Sequence, residues 1–278
     1  MDGNGDGRID AADANPATLP DITGDAVVDG QDTSLVGDVE FTLHDGGVAG
    51  CEDGRGPDPD WQVSAPPKLD CAAGERGVLL LAVGGGAVNL AVPDNAAGAR
   101  WMVEQLSDEL DVPTQIASVA PGLNGTSEPQ RDAERWSFAY LSQRLREQPC
   151  LAVVLLGHSH GGVHATATAS RLEEAGLGEQ IALTVLIDRV TGLYAGDTAS
   201  LPQSSRVFNV FLPPGADVII GAAIDQPNVE NWDAAGAEAP ERGEEGGPLR
   251  PANHSTIDNS PAVLEEVKER VAAVLSGA

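Results

Sequence analysis

Lysine is nearly missing from this sequence, with Lys68 and Lys268 the only two in 278 residues. Lysine and arginine together number 16 against 43 acidic residues, a formal charge of −27. Such a surface repels polyanions, which argues against nucleic acid and anionic membranes as partners. Aromatic residues are also scarce, at 4%, while 41% of the chain is hydrophobic. Its core must therefore be built mainly from Ala, Val and Leu. No apolar run approaches the ~20 residues needed to cross a bilayer, so no membrane span is expected. No signal peptide stands ahead of the acidic loop that follows Met1, as expected of a chain cut to its mature or domain boundary. The acidic, lysine-poor surface suits an extracellular setting, and the protein is expected to be secreted.

Cysteine is sparse too: Cys51, Cys71 and Cys150. Cys51 and Cys71 bracket a Gly/Pro/Asp-rich loop, and a disulfide closing it would remove about 3 kcal/mol of unfolded-state entropy. Cys150 stands where a buried strand begins and reads as a small core residue. Three reduced thiols are the alternative.

What is abundant at the N-terminus is aspartate. Eight Asp fall between Asp2 and Asp32, in two stretches of one spacing. Asp2, Asn4, Asp6, Arg8, Asp10 and Asp13 occupy loop positions 1, 3, 5, 7, 9 and 12, and Asp21, Thr23, Asp25, Val27, Asp29 and Asp32 repeat them. Position 7 offers a backbone carbonyl and the others oxygen side chains, the kind of set with which Ca²⁺ fills about 6–8 coordination sites. Gly7 permits the sharp turn at position 6, whereas Ala26 stands there in the second loop, which should bind more weakly. Residues 1–37 resemble the duplicated calcium loop of dockerin type I modules. The resemblance implies structural Ca²⁺, with none needed for catalysis, and a cohesin-like or surface partner. Ala14-Asn15-Pro16 leave no room for a full first dockerin helix. A flexible acidic linker is the bland alternative.

Residues 38–76 read as a loop-rich connector with one strand candidate, Val39 to Leu43. From Gly77 on, continuous apolar runs of strand length alternate with helix-like stretches. The strands are expected at Val78–Val83, Gln115–Val119, Leu151–Leu156, Ile181–Ile187 and Val207–Leu212, and the helices at Asn95–Leu110, Glu128–Gln148, Gly162–Ala175 and Pro261–Leu275. Uninterrupted apolar strands separated by helices predict an α/β fold, a mostly parallel sheet covered on both faces. Ala234 to Pro251 reads as a surface loop.

The run Leu151–Leu156 leads directly into Gly157-His158-Ser159-His160-Gly161-Gly162, followed by a helix of small residues. G-x-S-x-G between a strand and a helix is the setting in which a nucleophilic serine sits on a strained turn, flanked by glycines because there is no room for side chains. A glycine-rich turn of some other doubly wound domain is the alternative. Residues 77–278 resemble the α/β-hydrolase superfamily, and the hexapeptide is similar to the elbow of bacterial true lipases. The resemblance implies an acyl-enzyme mechanism and ester substrates. Gly84-Gly85-Gly86 replace the His-Gly pair that lipases often carry after the first core strand, and no long lid segment is apparent, which weighs against interfacial lipase activity.

Of the histidines, His44, His158, His160, His164 and His254, only His254 follows the acid candidates, as the superfamily order of Ser, acid and His requires. It is the expected base, while His158 and His164 read as local packing or polar residues. Asp188, at the end of a strand, is the first choice of acid, with Asp217, Asp225 and Asp233 as alternatives. The oxyanion should be met by the N–H of His160 and by the Gly84, Gly85 and Gly86 loop, for which a phosphate-cradling role is the rival. Other functions kept in view are an acyltransferase or peptidase with the same triad, and a calcium-dependent attachment protein whose hydrolase fold is silent. Trp232 and Tyr194 are loop residues able to line a cleft or anchor the surface.

Overall fold

The computed structural model describes residues 48–49, 60–64, 66–85, 97–120, 127–190, 201–213, 221–241 and 247–277. The calcium-loop reading of residues 2–32, the strand candidate Val39–Leu43, Cys51, Gly86, Tyr194 and Asp217 lie outside the described residues.

Ten strands are described: β1 (Val48–Ala49), β2 (Asp60–Val63), β3 (Gly77–Val83), β4 (Thr114–Ala120), β5 (Leu151–His158), β6 (Ile181–Ile187), β7 (Val207–Phe211), β8 (Val229–Asp233), β9 (Glu238–Ala239) and β10 (Arg250–Pro251). Four α-helices accompany them: α1 (Ala97–Glu109), α2 (Ser127–Glu147), α3 (Gly161–Glu174) and α4 (Pro261–Ser276). Eight strands form one sheet in the order β1-β2-β4-β3-β5-β6-β7-β8. The six from β4 to β8 in that order run parallel, and β2 and β1 continue the sheet antiparallel.

The apolar runs are continuous because both faces of the sheet are covered, and the period of 2 persists within them. In β3, Val78, Leu80 and Ala82 pack with Met102, Val103 and Leu106 of α1 and with Val263 and Val267 of α4. The intervening Leu79, Leu81 and Val83 pack with Leu141 and Leu145 of α2 and with Ala165, Ala169 and Leu172 of α3. Small residues on α3 let that helix lie close to the strands.

The chain runs from β3 to β4 on one side, then returns to place β5 on the other side of β3. The winding therefore reverses between β3 and β5. Such a switch point is where parallel sheets bind ligands.

Three expectations need correction. First, Cys71 pairs with Cys150, not Cys51, with Cα atoms 5.3 Å apart. A 3₁₀ turn at Cys71–Ala73 precedes β3, and Cys150 precedes β5, so the parallel register that sets Gly77 beside Leu151 also brings the two sulfurs together. Second, Trp232, read as a loop residue, lies in the edge strand Val229–Asp233, whose sequence, VENWD, lacks an apolar run because much of it is exposed. Third, the loop at 234–251 contains the antiparallel pair β9–β10. The stretch read as a connector also supplies β1 and β2.

Candidate active site

The turn after β5 is compressed from both sides. A Cβ on Gly157 would stand 2.5 Å from the Gly161 carbonyl oxygen, and one on Gly161 would stand 2.2 Å from the carbonyl oxygen of Val83. Only glycine fits at either position. Between them Ser159 adopts φ 56°, a left-handed conformation that a non-glycine residue holds only when its surroundings enforce it. Those surroundings are visible: the Ser159 N–H donates to the Ile187 carbonyl at 2.9 Å, and the Ser159 carbonyl accepts from Gly162 N–H at 3.1 Å and Val190 N–H at 3.3 Å.

His254 arrives from the opposite end of the domain on a short turn ahead of α4. Asn253 builds that turn. Its carbonyl accepts from the N–H groups of Thr256 and Ile257, and its side-chain oxygen accepts from Ser255 N–H. His254 Nε2 stands 2.7 Å from Ser159 Oγ, and Nδ1 stands 2.6 Å from Asp188 Oδ2. A carboxylate oxygen accepts, so Nδ1 carries the ring hydrogen and Nε2 is left to accept the serine hydroxyl.

Asp188 follows β6 directly and also has a positive φ, 45°. It is fully buried. Burial by itself pushes its carboxyl up, and this is the largest single influence. The bond from His254, the backbone N–H groups of Leu212 and Gly221 at 3.1 and 2.7 Å, and the electrostatic attraction of the His254 ring together outweigh it. The net result is a carboxyl held below its ordinary range, hence ionised. Of the other acid candidates, Asp225 and Asp233 are exposed, and Asp233 accepts instead from the N–H of Ala235.

The loop after β3 closes the third side. A Cβ on Gly85 would lie 2.9 Å from the Ser159 Cβ and 3.4 Å from its Oγ. Gly84 requires a correction as an oxyanion donor, because its N–H is already donated to the Val119 carbonyl at 2.9 Å. Gly84 serves instead as the backbone against which Gly161 packs. His160 is buried at the N-terminus of α3, with its ring edge-on to that of His164, centroids 4.7 Å apart. Burial, helped by the neighbouring His160, pushes His164 down to about 3, so it is neutral at ordinary pH.

The sequence missed a second buried pair, His158 with Asp258, whose Nδ1 and Oδ2 are 3.2 Å apart. Nothing in the local sequence couples residues 100 positions apart, and only the sheet topology brings them together.

Together, the mixed sheet with six parallel strands, the two helical layers and the serine turn at the switch point define the architecture of an α/β hydrolase. The family profile of the thioesterase domain matches residues 90–209. No curated protein matches the sequence. Among solved structures, the chain is similar to a putative hydrolase from Agrobacterium vitis S4, with 13% identity over 82% of this chain and 97% of that one and a TM-score of 0.47. It is also similar to EstE1, a thermophilic carboxylesterase from a metagenomic library, with 17% identity, coverage of 88% and 92% and a TM-score of 0.46. XC6422 of Xanthomonas campestris, an α/β serine hydrolase without a lid, gives 13% identity, coverage of 85% and 94% and a TM-score of 0.44.

Proposed function

We propose that this protein is a serine hydrolase that cleaves carboxylic esters through an acyl-enzyme on Ser159. The observation that carries the reading is the hydrogen-bonded series Ser159–His254–Asp188, 2.7 and 2.6 Å per link, at the switch point of the sheet. As Oγ attacks the acyl carbonyl, His254 Nε2 takes the hydroxyl proton. Asp188 keeps Nδ1 oriented and balances the imidazolium that forms. The N–H groups of His160 and Gly85 receive the oxyanion, aided by the positive end of α3. The imidazolium then protonates the leaving alkoxide. Water, losing a proton to His254, attacks the acyl carbon, and the Ser159 oxygen departs and is reprotonated.

A thioester is the second substrate reading, favoured by the match of the thioesterase-domain profile to residues 90–209. The chemistry differs only in the leaving group. Peptide mapping after treatment with a fluorophosphonate should find one adduct, on Ser159. Oxygen esters and thioesters of the same acyl group then separate the two readings by kcat/KM. Folded protein that takes up no probe would overturn the enzyme reading and favour a silent fold used for attachment.

The Cys71–Cys150 disulfide supports an extracellular setting, since disulfides persist in oxidising compartments. For the N-terminal segment we infer Ca²⁺ held by Asp2, Asn4, Asp6, Asp10 and Asp13 and by their counterparts Asp21, Thr23, Asp25, Asp29 and Asp32, with a structural role only. Calorimetric titration of the full chain with Ca²⁺ should show a tighter and a weaker site. Absence of binding heat would sink this assignment.

A further inference from the structure

Beside the Ser159–His254–Asp188 series lies a second histidine–carboxyl pair. His158 and Asp258 are both buried, at 3% and 0% exposure. His158 Nε2 is 2.7 Å from the backbone carbonyl oxygen of His254, and its ring centroid is 5.2 Å from that of His254. A carbonyl oxygen only accepts, so Nε2 of His158 carries a hydrogen and donates it. That leaves Nδ1 facing Asp258 Oδ2 at 3.2 Å.

Asp258 is fixed in turn. It sits in the 3₁₀ turn Ile257–Asn259, four residues beyond His254, and is wedged against the first turn of α1. A Cβ on Gly98 would stand 2.2 Å from Asp258 Oδ2 and 2.3 Å from its Cγ, so the carboxylate occupies the space a side chain there would need. A helix N-terminus is also the place where negative charge is favoured. A continuous series of contacts thus runs from α1 through Asp258 and His158 to the backbone of His254. His158 is the last residue of β5 and the direct neighbour of Ser159. Its ring therefore ties the loop carrying the base to the strand carrying the nucleophile, independently of the bonds made by the reacting side chains.

We propose that His158 and Asp258 are positioning residues, a buried histidine–carboxyl pair that holds the His254 loop at the correct distance over Ser159. The proposal rests on the reading of Ser159 and His254 as nucleophile and base. His158→Leu removes the donor to the His254 carbonyl, and Asp258→Asn replaces the carboxyl group facing His158 with little change of shape. Each should lower kcat and the rate of fluorophosphonate labelling about 10- to 100-fold, the scale of a reacting group misplaced by a fraction of an ångström to an ångström, with KM changed less than about 2-fold. The double variant should lose no more than the worse single one, because the two act as a unit. His158→Gln, which keeps an N–H for the carbonyl, should recover part of the loss.

Where His158→Leu fails to fold, Gly98→Ala supplies the same test from the far end, since the three atoms nearest its added Cβ all belong to Asp258 and its displacement should reproduce the fall in kcat. Wild-type protein that resists the probe would remove the catalytic reading and this role with it. A labelled wild type beside folded His158→Leu, Asp258→Asn or Gly98→Ala reacting at the full rate would overturn the positioning role alone.

Discussion

Gly85 lies so closely against Ser159 that a Cβ there would be 2.9 Å from the serine Cβ. The φ of Gly85 is not in the left-handed region, so alanine is compatible with its backbone and the conflict is purely steric. Gly85→Ala should therefore fold with a small loss of stability, about 1–3 kcal/mol from overpacking. Its kcat for an activated ester should fall about 100-fold as the loop or the serine is pushed aside. Steady-state kinetics beside thermal melting checks both; full activity in the alanine variant would contradict the proposed role of Gly85 beside the nucleophile.

Asp188 allows the role of the acid to be separated from its backbone strain. Its φ of 45° is one that asparagine also tolerates, so Asp188→Asn should keep the turn. The asparagine amide can present an N–H to Nδ1 of His254, which places the ring hydrogen on Nε2 and leaves nothing to accept the Ser159 proton. The expected fall in kcat is about 10⁴-fold with the melting temperature little changed, and Asp188→Ala should lose stability as well. Retention of more than a tenth of the activity in the asparagine variant would remove Asp188 from the mechanism.

Most of the fold was legible because a sheet buried on both faces leaves a plain mark: apolar runs at Val78–Val83, Leu151–Leu156 and Ile181–Ile187, bounded by helices. The serine turn was legible for a related reason, since Gly157 and Gly161 are demanded by backbone contacts within and beside the hexapeptide. Choosing His254 and Asp188 as partners for Ser159 needed a superfamily order in addition to local pattern, and the structure brings the three side chains together. What stayed hidden depends on distant pairing. Cys71 meets Cys150 through the register of β3 with β5, His158 meets Asp258 across 100 positions, and Val229–Asp233 is a strand because β7 offers an open edge.

Glu173, on the last turn of α3, offers a test of acid stability away from the site. Partial burial alone would raise its carboxyl, the largest single influence. The Ser204 hydroxyl and the N–H groups of Gln203, Ser204 and Ser205, at 2.6–2.9 Å, more than reverse this and bring it down to about 2. A carboxylate with a lowered folded pKa contributes stability that is fully present above its unfolded value, about 4.3, and is lost as pH falls through the folded one. Glu173→Gln should thus lower Tm by about 3–6 °C at pH 7, and the gap from wild type should close between about pH 4 and pH 2. A gap that stays constant with pH would show that the segment from Gln203 to Ser205 is held by something other than this charge.

The Cys71–Cys150 bond joins the amino ends of β3 and β5, while Ser159 and Gly85 leave from their carboxyl ends. Stability and activity should therefore respond separately to its loss. Closing a loop with a sequence separation of 79 removes about 4 kcal/mol of unfolded-state entropy, so reduction should lower Tm by about 10 °C. Ester turnover at 25 °C should persist, because the register of β3 with β5 is also set by seven paired positions and by the leucines on both faces. Turnover that disappears in reduced, folded protein would mean that the far end of the sheet controls the serine turn. Unchanged melting would mean that residual structure in the unfolded chain already keeps these two ends close, so that the cross-link removes little entropy.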